Sequence, residues 1–159
     1  MVIFLFNQQR DLRISLPSVR QVITDVLENA GVTTNELSIS FVSTRKSAEM
    51  HAKFFDDPTP TDCMTFPVDE IASSETDYHV LGEIVICPKT ALNYAPQAPY
   101  KELTLYLVHG LLHLLGYDDI ETSNRKKMRA AESKHMKRLI AKKILLKEPI
   151  SPYNTKRSV

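Results

Sequence analysis

The sequence has few cysteines, few glycines and no long apolar run. Its two cysteines, Cys63 and Cys87, lack the spacing of a metal-binding pair, so neither a disulfide framework nor a cysteine-based zinc site is predicted. No stretch approaches the roughly 20 apolar residues of a membrane span. The N-terminus has no basic region before its short apolar run and no small-residue cleavage site, so we expect a strand there and not a signal peptide. We therefore expect a cytoplasmic protein with reduced thiols.

The composition that remains is typical of a globular protein. Of the 159 residues, 43% are hydrophobic, 25% are charged and four are glycine, which does not fit a disordered chain. This length suits one hydrophobic core. We predict a single domain over residues 1–147 and a flexible C-terminal tail over residues 148–159.

Charge is distributed unevenly along the chain, although the net charge is only +1. Residues 121–159 hold 12 of the Lys and Arg residues and three acids, a net charge of +9, whereas residues 1–120 have a net charge of −8. A basic end of this kind indicates a polyanionic partner. The alternative is a solvated helix face followed by a loose tail, and charge alone favours this alternative.

Hydrophobic periodicity predicts an α+β fold in one domain, with about four strands in a mixed sheet and four to six helices. Pro67 ends one short strand, which favours an edge position for it. Pro99 and Gly116 flank a helix that is apolar on almost all faces, so we expect it to be buried at the centre. The predicted strands are 2–8, 37–43, 63–67 and 80–88, and the predicted helices are about 17–30, 44–55, 88–95, 99–116 and 121–147.

Two histidines on the central helix suggest a metal site. His109 and His113 are four residues apart, so they share one helix face. Gly116 allows the chain to turn back, which brings Asp119 within reach as a third ligand. Three protein ligands leave a fourth position for water, as in catalytic zinc sites. The alternative is a pair of hydrogen-bonded core histidines. The other three histidines have no second metal-ligating residue at a suitable spacing and are interpreted as ordinary polar residues.

This spacing also occurs in the zinc proteases with the pattern HExxHxxG. His109, His113, Gly116 and Asp119 match that pattern, but the glutamate after the first histidine is replaced by Gly110. That glutamate is the general base for peptide hydrolysis. A protease-like hydrolase is therefore the less favoured interpretation.

Residues 109–119, HGLLHLLGYDD, resemble the signature H-G-x-L-H-L-x-G-Y-D-H of the bacterial YbeY family. Two other segments resemble the same family in the same order. Residues 60–67, PTDCMTFP, are similar to P-T-D-V-L-S-F-P, and residues 81–87, LGEIVIC, are similar to L-G-D-I-x-I-S. With the opening strand and the basic final helix, the resemblance covers about residues 2–145.

The resemblance implies a zinc-dependent, single-strand-specific endoribonuclease. Family members act in ribosomal RNA maturation, near the 3′ end of the small-subunit RNA, and in ribosome quality control. The implied partners are single-stranded and ribosomal RNA and the small ribosomal subunit, with no membrane. The implied ligands of one Zn²⁺ per chain are His109, His113 and Asp119. No residue is assigned a catalytic role.

The sequence departs from the family pattern at two positions. Asp119 stands where the family usually has histidine, which lowers the net positive charge of the site and makes harder divalent metals more competitive with zinc. Phe55 stands where the family has an arginine that handles phosphate, and phenylalanine cannot neutralise a phosphate. This second departure favours an alternative function, a non-catalytic metal-containing factor associated with the ribosome.

Other residues near these motifs have two interpretations each. Asp118 either orients a ligand or the metal-bound water, or it is a simple turn residue. Phe54, Phe55 and Phe66 suit the stacking of unpaired bases, but core packing is the better interpretation for Phe66.

Overall fold

Four strands and five helices form an α+β fold in the computed structural model, which describes residues 1–57, 59, 61–71 and 77–150. The predicted fold class is confirmed. The strands are β1 (Val2–Gln8), β2 (Glu36–Val42), β3 (Cys63–Pro67) and β4 (Val80–Ile86). The helices are α1 (Leu16–Ala30), α2 (Thr44–Phe55), α3 (Pro88–Tyr94), α4 (Pro99–Leu114) and α5 (Thr122–Lys142).

The strands form one sheet in the order β1-β2-β4-β3. Strands β1, β2 and β4 are parallel, and β3 is antiparallel to β4. The edge position predicted for β3 is confirmed, because β3 is the last strand of the sheet and, among the described strands, pairs only with β4. Proline lacks a backbone N–H and is tolerated at such an edge.

Short polar residues and glycine determine where α1 begins and ends. The Ser15 side chain accepts a hydrogen bond from the Ser18 backbone N–H, and Pro17 occupies the first turn. Gly31 ends the helix in the left-handed conformation, with φ of 68°. A serine cap, a proline in the first turn and a left-handed glycine at the end are favourable at these helix positions.

Helix α4 is buried at the centre of the molecule, as predicted. It approaches the sheet closely at Gly110, where a β-carbon would lie 2.8 Å from Ile84 Cγ2 and 2.9 Å from Cys63 Sγ. A larger residue there would push α4 away from β3 and β4. The glycine therefore fixes the height of α4 above the sheet, and with it the position of every side chain on the opposite face of the helix.

The last helix is shorter than predicted. The expected end was residue 147, but α5 ends at Lys142, and Lys143 adopts a left-handed conformation with φ of 58°. The segment that follows turns back onto the core, where Leu146 is 2% exposed and its N–H donates to Thr104 Oγ1. The burial of Leu146 after this turn stabilises the protein more than another helical turn of α5 would. Most of the predicted tail, residues 151–159, lies outside the described residues.

Candidate metal centre

His109 and His113 point to the same place from one face of α4. Their Nε2 atoms are 3.0 Å apart, and the two rings meet edge to face with centroids 4.5 Å apart. Both side chains are about one-quarter exposed, at 22% and 25%. The predicted pairing of the two imidazoles on one helix face is thus present, and the pair is open to solvent on one side.

Asp119 completes a triangle with the two histidines. After α4, Gly116 adopts φ of 98°, and the chain reverses so that Asp119 Oδ2 lies 3.5 Å from the Nε2 atom of His109 and 3.5 Å from that of His113. A tetrahedral zinc ion with ligands at about 2.1 Å needs ligand atoms about 3.4 Å apart. The spacing of the three atoms therefore fits one face of a zinc tetrahedron, leaving a fourth position for water or substrate.

The other nitrogen of each imidazole is already engaged. His109 Nδ1 lies 2.6 Å from Glu132 Oε1, and His113 Nδ1 lies 3.1 Å from the Tyr117 carbonyl oxygen. Both partners are acceptors, so each neutral imidazole carries its proton on Nδ1 and a lone pair on Nε2. Two lone pairs facing each other at 3.0 Å repel unless a cation lies between them. This donor set, with the carboxylate of Asp119, fits a divalent metal.

Glu132 was missed by the sequence analysis. It is 5% exposed, and Arg129 Nη1 donates to its second oxygen at 3.2 Å. Its hydrogen bond to His109 raises the pKa of that imidazole, although burial of the ring acts the other way. One signal was available: Glu132 is the single acid within α5 and falls on the same helical stripe as the buried Met128 and Met136.

Asp118 has the role of a turn residue. Its Oδ1 accepts a hydrogen bond from the Ile120 N–H at 3.0 Å. This contact closes the loop that carries Asp119 towards α4. The interpretation of Asp118 as a group that orients a ligand imidazole gains no contact in the structure, because Glu132 and the Tyr117 carbonyl fill those positions.

The remaining histidines lie apart from this cluster. His51 Nδ1 contacts the Thr59 carbonyl oxygen, and His79 contacts Thr34 Oγ1. His135 accepts from Arg138 and is buried, and burial lowers its pKa. Among the residues that the structure describes, His109, His113 and Asp119 are the one group of three that brings metal-ligating atoms together.

The position of Gly110 weighs against protease chemistry. In the protease pattern this position carries the general base, but here it faces Ile84 and Cys63 in the sheet. A glutamate at 110 would point into the core and away from the Nε2 atoms of His109 and His113. The protease interpretation therefore fails twice: the chain has no glutamate at position 110, and the backbone there does not face the two histidines.

Phe55 and its aromatic neighbours form a partly exposed cluster. Phe54 and Phe55 are 52% and 50% exposed, and their ring centroids lie 5.2 and 6.0 Å from that of Phe66. Phe66 is less exposed and packs with Met64, so the core-packing interpretation fits it best. The two exposed rings offer surfaces for stacking, but neither supplies the positive charge that the family arginine would give.

The surface of α5 beyond its buried stripe is basic, as the charge distribution predicted. Exposed cations occupy most of its outer positions: Arg125, Lys126, Lys127, Arg129, Lys134, Lys137 and Lys142. Because Glu132 of this helix holds His109, the basic surface and the candidate metal centre share one element. Across the described part of the chain, no helix is long and apolar enough to cross a membrane.

Known proteins are similar to this chain over most of its length. The family model described as "Endoribonuclease YbeY" matches residues 4–140. Endoribonuclease YbeY of Protochlamydia amoebophila is 45% identical over 136 residues, covering 84% of this chain and 89% of that protein. Endoribonuclease YbeY of Chlamydia pneumoniae is 40% identical over 151 residues, covering 91% and 94%. The solution structure of TM1509 from Thermotoga maritima has a TM-score of 0.62 at 25% identity, covering 89% of this chain and 91% of that one.

Proposed function

This chain belongs to the YbeY family and is an RNA-cleaving hydrolase, and from that membership we propose that it is a zinc-dependent endoribonuclease specific for single-stranded RNA. We further propose that it is cytoplasmic, that it acts on ribosomal RNA at the 3′ end of the small-subunit RNA, and that it serves ribosome quality control in association with the small subunit. These finer roles are the ones the family resemblance implies.

One observation carries the metal dependence. Two imidazole Nε2 atoms and a carboxylate oxygen lie 3.0–3.5 Å from one another, while both Nδ1 atoms are committed to acceptors. His109, His113 and Asp119 would hold the ion, and Glu132 would fix the ring of His109. A bound zinc ion polarises a phosphate oxygen and lowers the pKa of a bound water. The partly exposed ligands leave room for a phosphodiester to approach.

Asp119 gives this site a different charge from one with three histidines. A carboxylate cancels one unit of the metal charge, and its oxygen suits harder ions better than an imidazole nitrogen does. Two nitrogen ligands still favour zinc, which remains the proposed ion. Manganese is the competitor to include in any metal comparison.

A second candidate function is favoured by Phe55. Because this residue replaces the arginine of the family pattern, a non-catalytic factor that keeps the metal for structure is the alternative. The partly exposed imidazole pair and the three-ligand geometry argue against it, because a purely structural zinc site is closed by a fourth protein ligand. No fourth ligand lies with these three among the described residues.

The test pairs metal content with RNA cleavage. The wild-type protein, His113→Ala and the control His51→Ala, which removes a histidine outside the cluster, are purified, assayed for bound metal and incubated with single- and double-stranded RNA. We expect about one zinc per chain and cleavage of single strands in the wild type and the control, and loss of both in His113→Ala. Zinc without cleavage in the wild type would support the non-catalytic factor, and absence of metal would overturn both candidates.

A further inference from the structure

A groove lined by one face of α5 lies next to the candidate metal centre. It has a volume of about 800 Å³ and runs between the end of α1, the end of α4 and α5. Its walls include Lys127, Lys134 and Arg138 from α5 and Tyr117 from the loop after α4. We propose that this groove binds the single-stranded RNA that flanks the cleavage site, an assignment that rests on the proposed nuclease function.

The three cations in the groove share one face of α5. Positions 127, 134 and 138 are seven and four residues apart, which at 3.6 residues per turn places them in one line along the helix. Arg138 is engaged by Asp25, with Nη2 and Oδ1 2.7 Å apart. Lys127 and Lys134 are exposed and form no ion pair with any described residue. These two ammonium groups, about 10 Å apart along the helix, are therefore available to an anion.

The lining of the groove favours a polyanion with apolar parts. The described residues that line it include no aspartate or glutamate, so none of them repels phosphate. Val32, Leu112 and Leu115 form an apolar floor, and Tyr117 is 39% exposed. Unpaired bases have apolar faces that stack on such a ring, whereas the bases of a duplex are hidden. Single-stranded RNA presents both negatively charged phosphates and exposed apolar base faces.

The groove reaches the loop that leads to the candidate metal centre. A smaller cavity of about 350 Å³ shares Leu115, Tyr117 and Lys127 with the groove and extends to Asp118. Asp118 directly precedes the candidate ligand Asp119, and the Tyr117 carbonyl holds His113. A strand lying in the groove would contact Tyr117, the residue whose carbonyl contacts His113, so we place the groove on one side of the scissile phosphate.

The test compares two pairs of lysines on the same helix. Lys127→Ala/Lys134→Ala removes the groove cations, and Lys126→Ala/Lys137→Ala removes two exposed cations of α5 that do not line the groove. Both variants change the net charge by the same amount. Binding of a fluorescein-labelled single-stranded RNA of about 16 nucleotides, the upper end of common site sizes, is measured by anisotropy in the cold at several salt concentrations, with RNA integrity checked on a denaturing gel.

We expect the groove variant to bind roughly 25-fold more weakly than the wild type at about 0.1 M salt, with the slope of log K against log[salt] reduced by about 1.4. The control variant should bind within a few-fold of the wild type. Equal losses in the two variants would overturn the proposal, because they would show only general attraction by α5. So would an unchanged affinity of the groove variant, which would leave the groove to another partner such as an acidic peptide.

This measurement is separate from the test of the nuclease function. If the protein binds RNA through the groove but never cleaves it, the groove assignment stands and the nuclease function fails. If the protein cleaves RNA while the groove variant binds and cleaves normally, the nuclease function stands and the groove assignment fails. Unchanged thermal unfolding temperatures would exclude misfolding as the cause of any loss.

Discussion

His109 Nδ1 on α4 and Glu132 Oε1 on α5 lie 2.6 Å apart, although 23 residues separate them in the chain. This contact ties the buried central helix to the basic helix at the point where the candidate metal centre forms. A carboxylate behind a ligating imidazole fixes the tautomer and orientation of the ring and raises its basicity. Glu132 would thus act as a positioning residue of the candidate metal centre through His109, and it is not one of the three candidate ligands.

Replacing Glu132 with glutamine should weaken metal binding without abolishing it. Loss of an outer partner of a metal ligand typically costs 10- to 100-fold in affinity, and we expect Glu132→Gln to fall in that range. Competition against a zinc-binding dye measures the effect. The matched control is Glu121→Gln, which removes the same charge from the exposed residue that precedes α5. An affinity of Glu132→Gln equal to that of the control would contradict the positioning role.

The sequence predicts the three ligands but not this partner, for a physical reason. His109, His113 and Asp119 lie within one helix and the turn that follows it, so local geometry alone determines their proximity. The contact to Glu132 depends on how two helices pack, which no local spacing encodes. Its location on the buried stripe of α5 was visible, but a lone acid on such a stripe has many possible partners.

The neighbouring residues Asp118 and Asp119 should behave differently when each is changed to asparagine. Asp119→Asn removes the charge of the candidate ligand that lies 3.5 Å from both Nε2 atoms. We expect its metal affinity to fall by more than the roughly 100-fold that bounds the loss of an outer partner. Asp118 contacts the Ile120 N–H instead, and an asparagine oxygen can keep that contact.

Competition against the zinc-binding dye is measured for both asparagine variants and for Asp119→His. It distinguishes the proposed ligand Asp119 from the turn residue Asp118. Asp118→Asn should retain metal within a few-fold, and Asp119→His should restore binding with the ligand type of the family pattern. A larger loss in Asp118→Asn than in Asp119→Asn would exchange the two roles and contradict the ligand set.

The fold was predictable as far as local patterns reach. The strands and the first four helices begin and end within two residues of their predicted bounds, because caps, prolines and periodicity act locally. The order β1-β2-β4-β3 and the parallel pairing depend on long-range packing. The predicted end of α5 was wrong, because Leu146 becomes buried only after the chain leaves the helix at Lys143.

Asp25 on α1 should stabilise the protein at neutral pH through its contacts with α5. Its side chain is 7% exposed, and it accepts from Lys142 Nζ and Arg138 Nε. Burial disfavours the charged carboxylate, but these hydrogen bonds prevail and hold the pKa of Asp25 below its ordinary value. Because the pKa is lowered in the folded state, the stabilisation is present above about pH 4, the ordinary value, and is lost as the pH falls through the lower folded value.

Chemical denaturation of Asp25→Asn checks this sign. At pH 7 we expect a loss of about 2 kcal/mol in the free energy of unfolding, and the difference from the wild type should shrink as the pH drops below about 4. Glu28→Gln, at an exposed position of the same helix, is the control and should cost little. A difference that grows towards acid pH would show that Asp25 is not held in its charged form.

Phe55→Arg should raise the rate of RNA cleavage. The variant restores the guanidinium of the family pattern at a half-exposed position at the end of α2. We expect a gain of about 10-fold, short of the 10²–10³ that a fully pre-organised donor supplies, because Asp56 and Asp57 follow directly and partly offset the new charge. Phe54→Arg is the matched control, because it introduces the same charge at the neighbouring position, where the phenylalanine has nearly the same exposure. Initial cleavage rates of a labelled single strand, at equal metal content, measure both. Equal gains would mean that any added cation on α2 attracts RNA, and no gain in Phe55→Arg would mean that this chain cleaves without a guanidinium at that position.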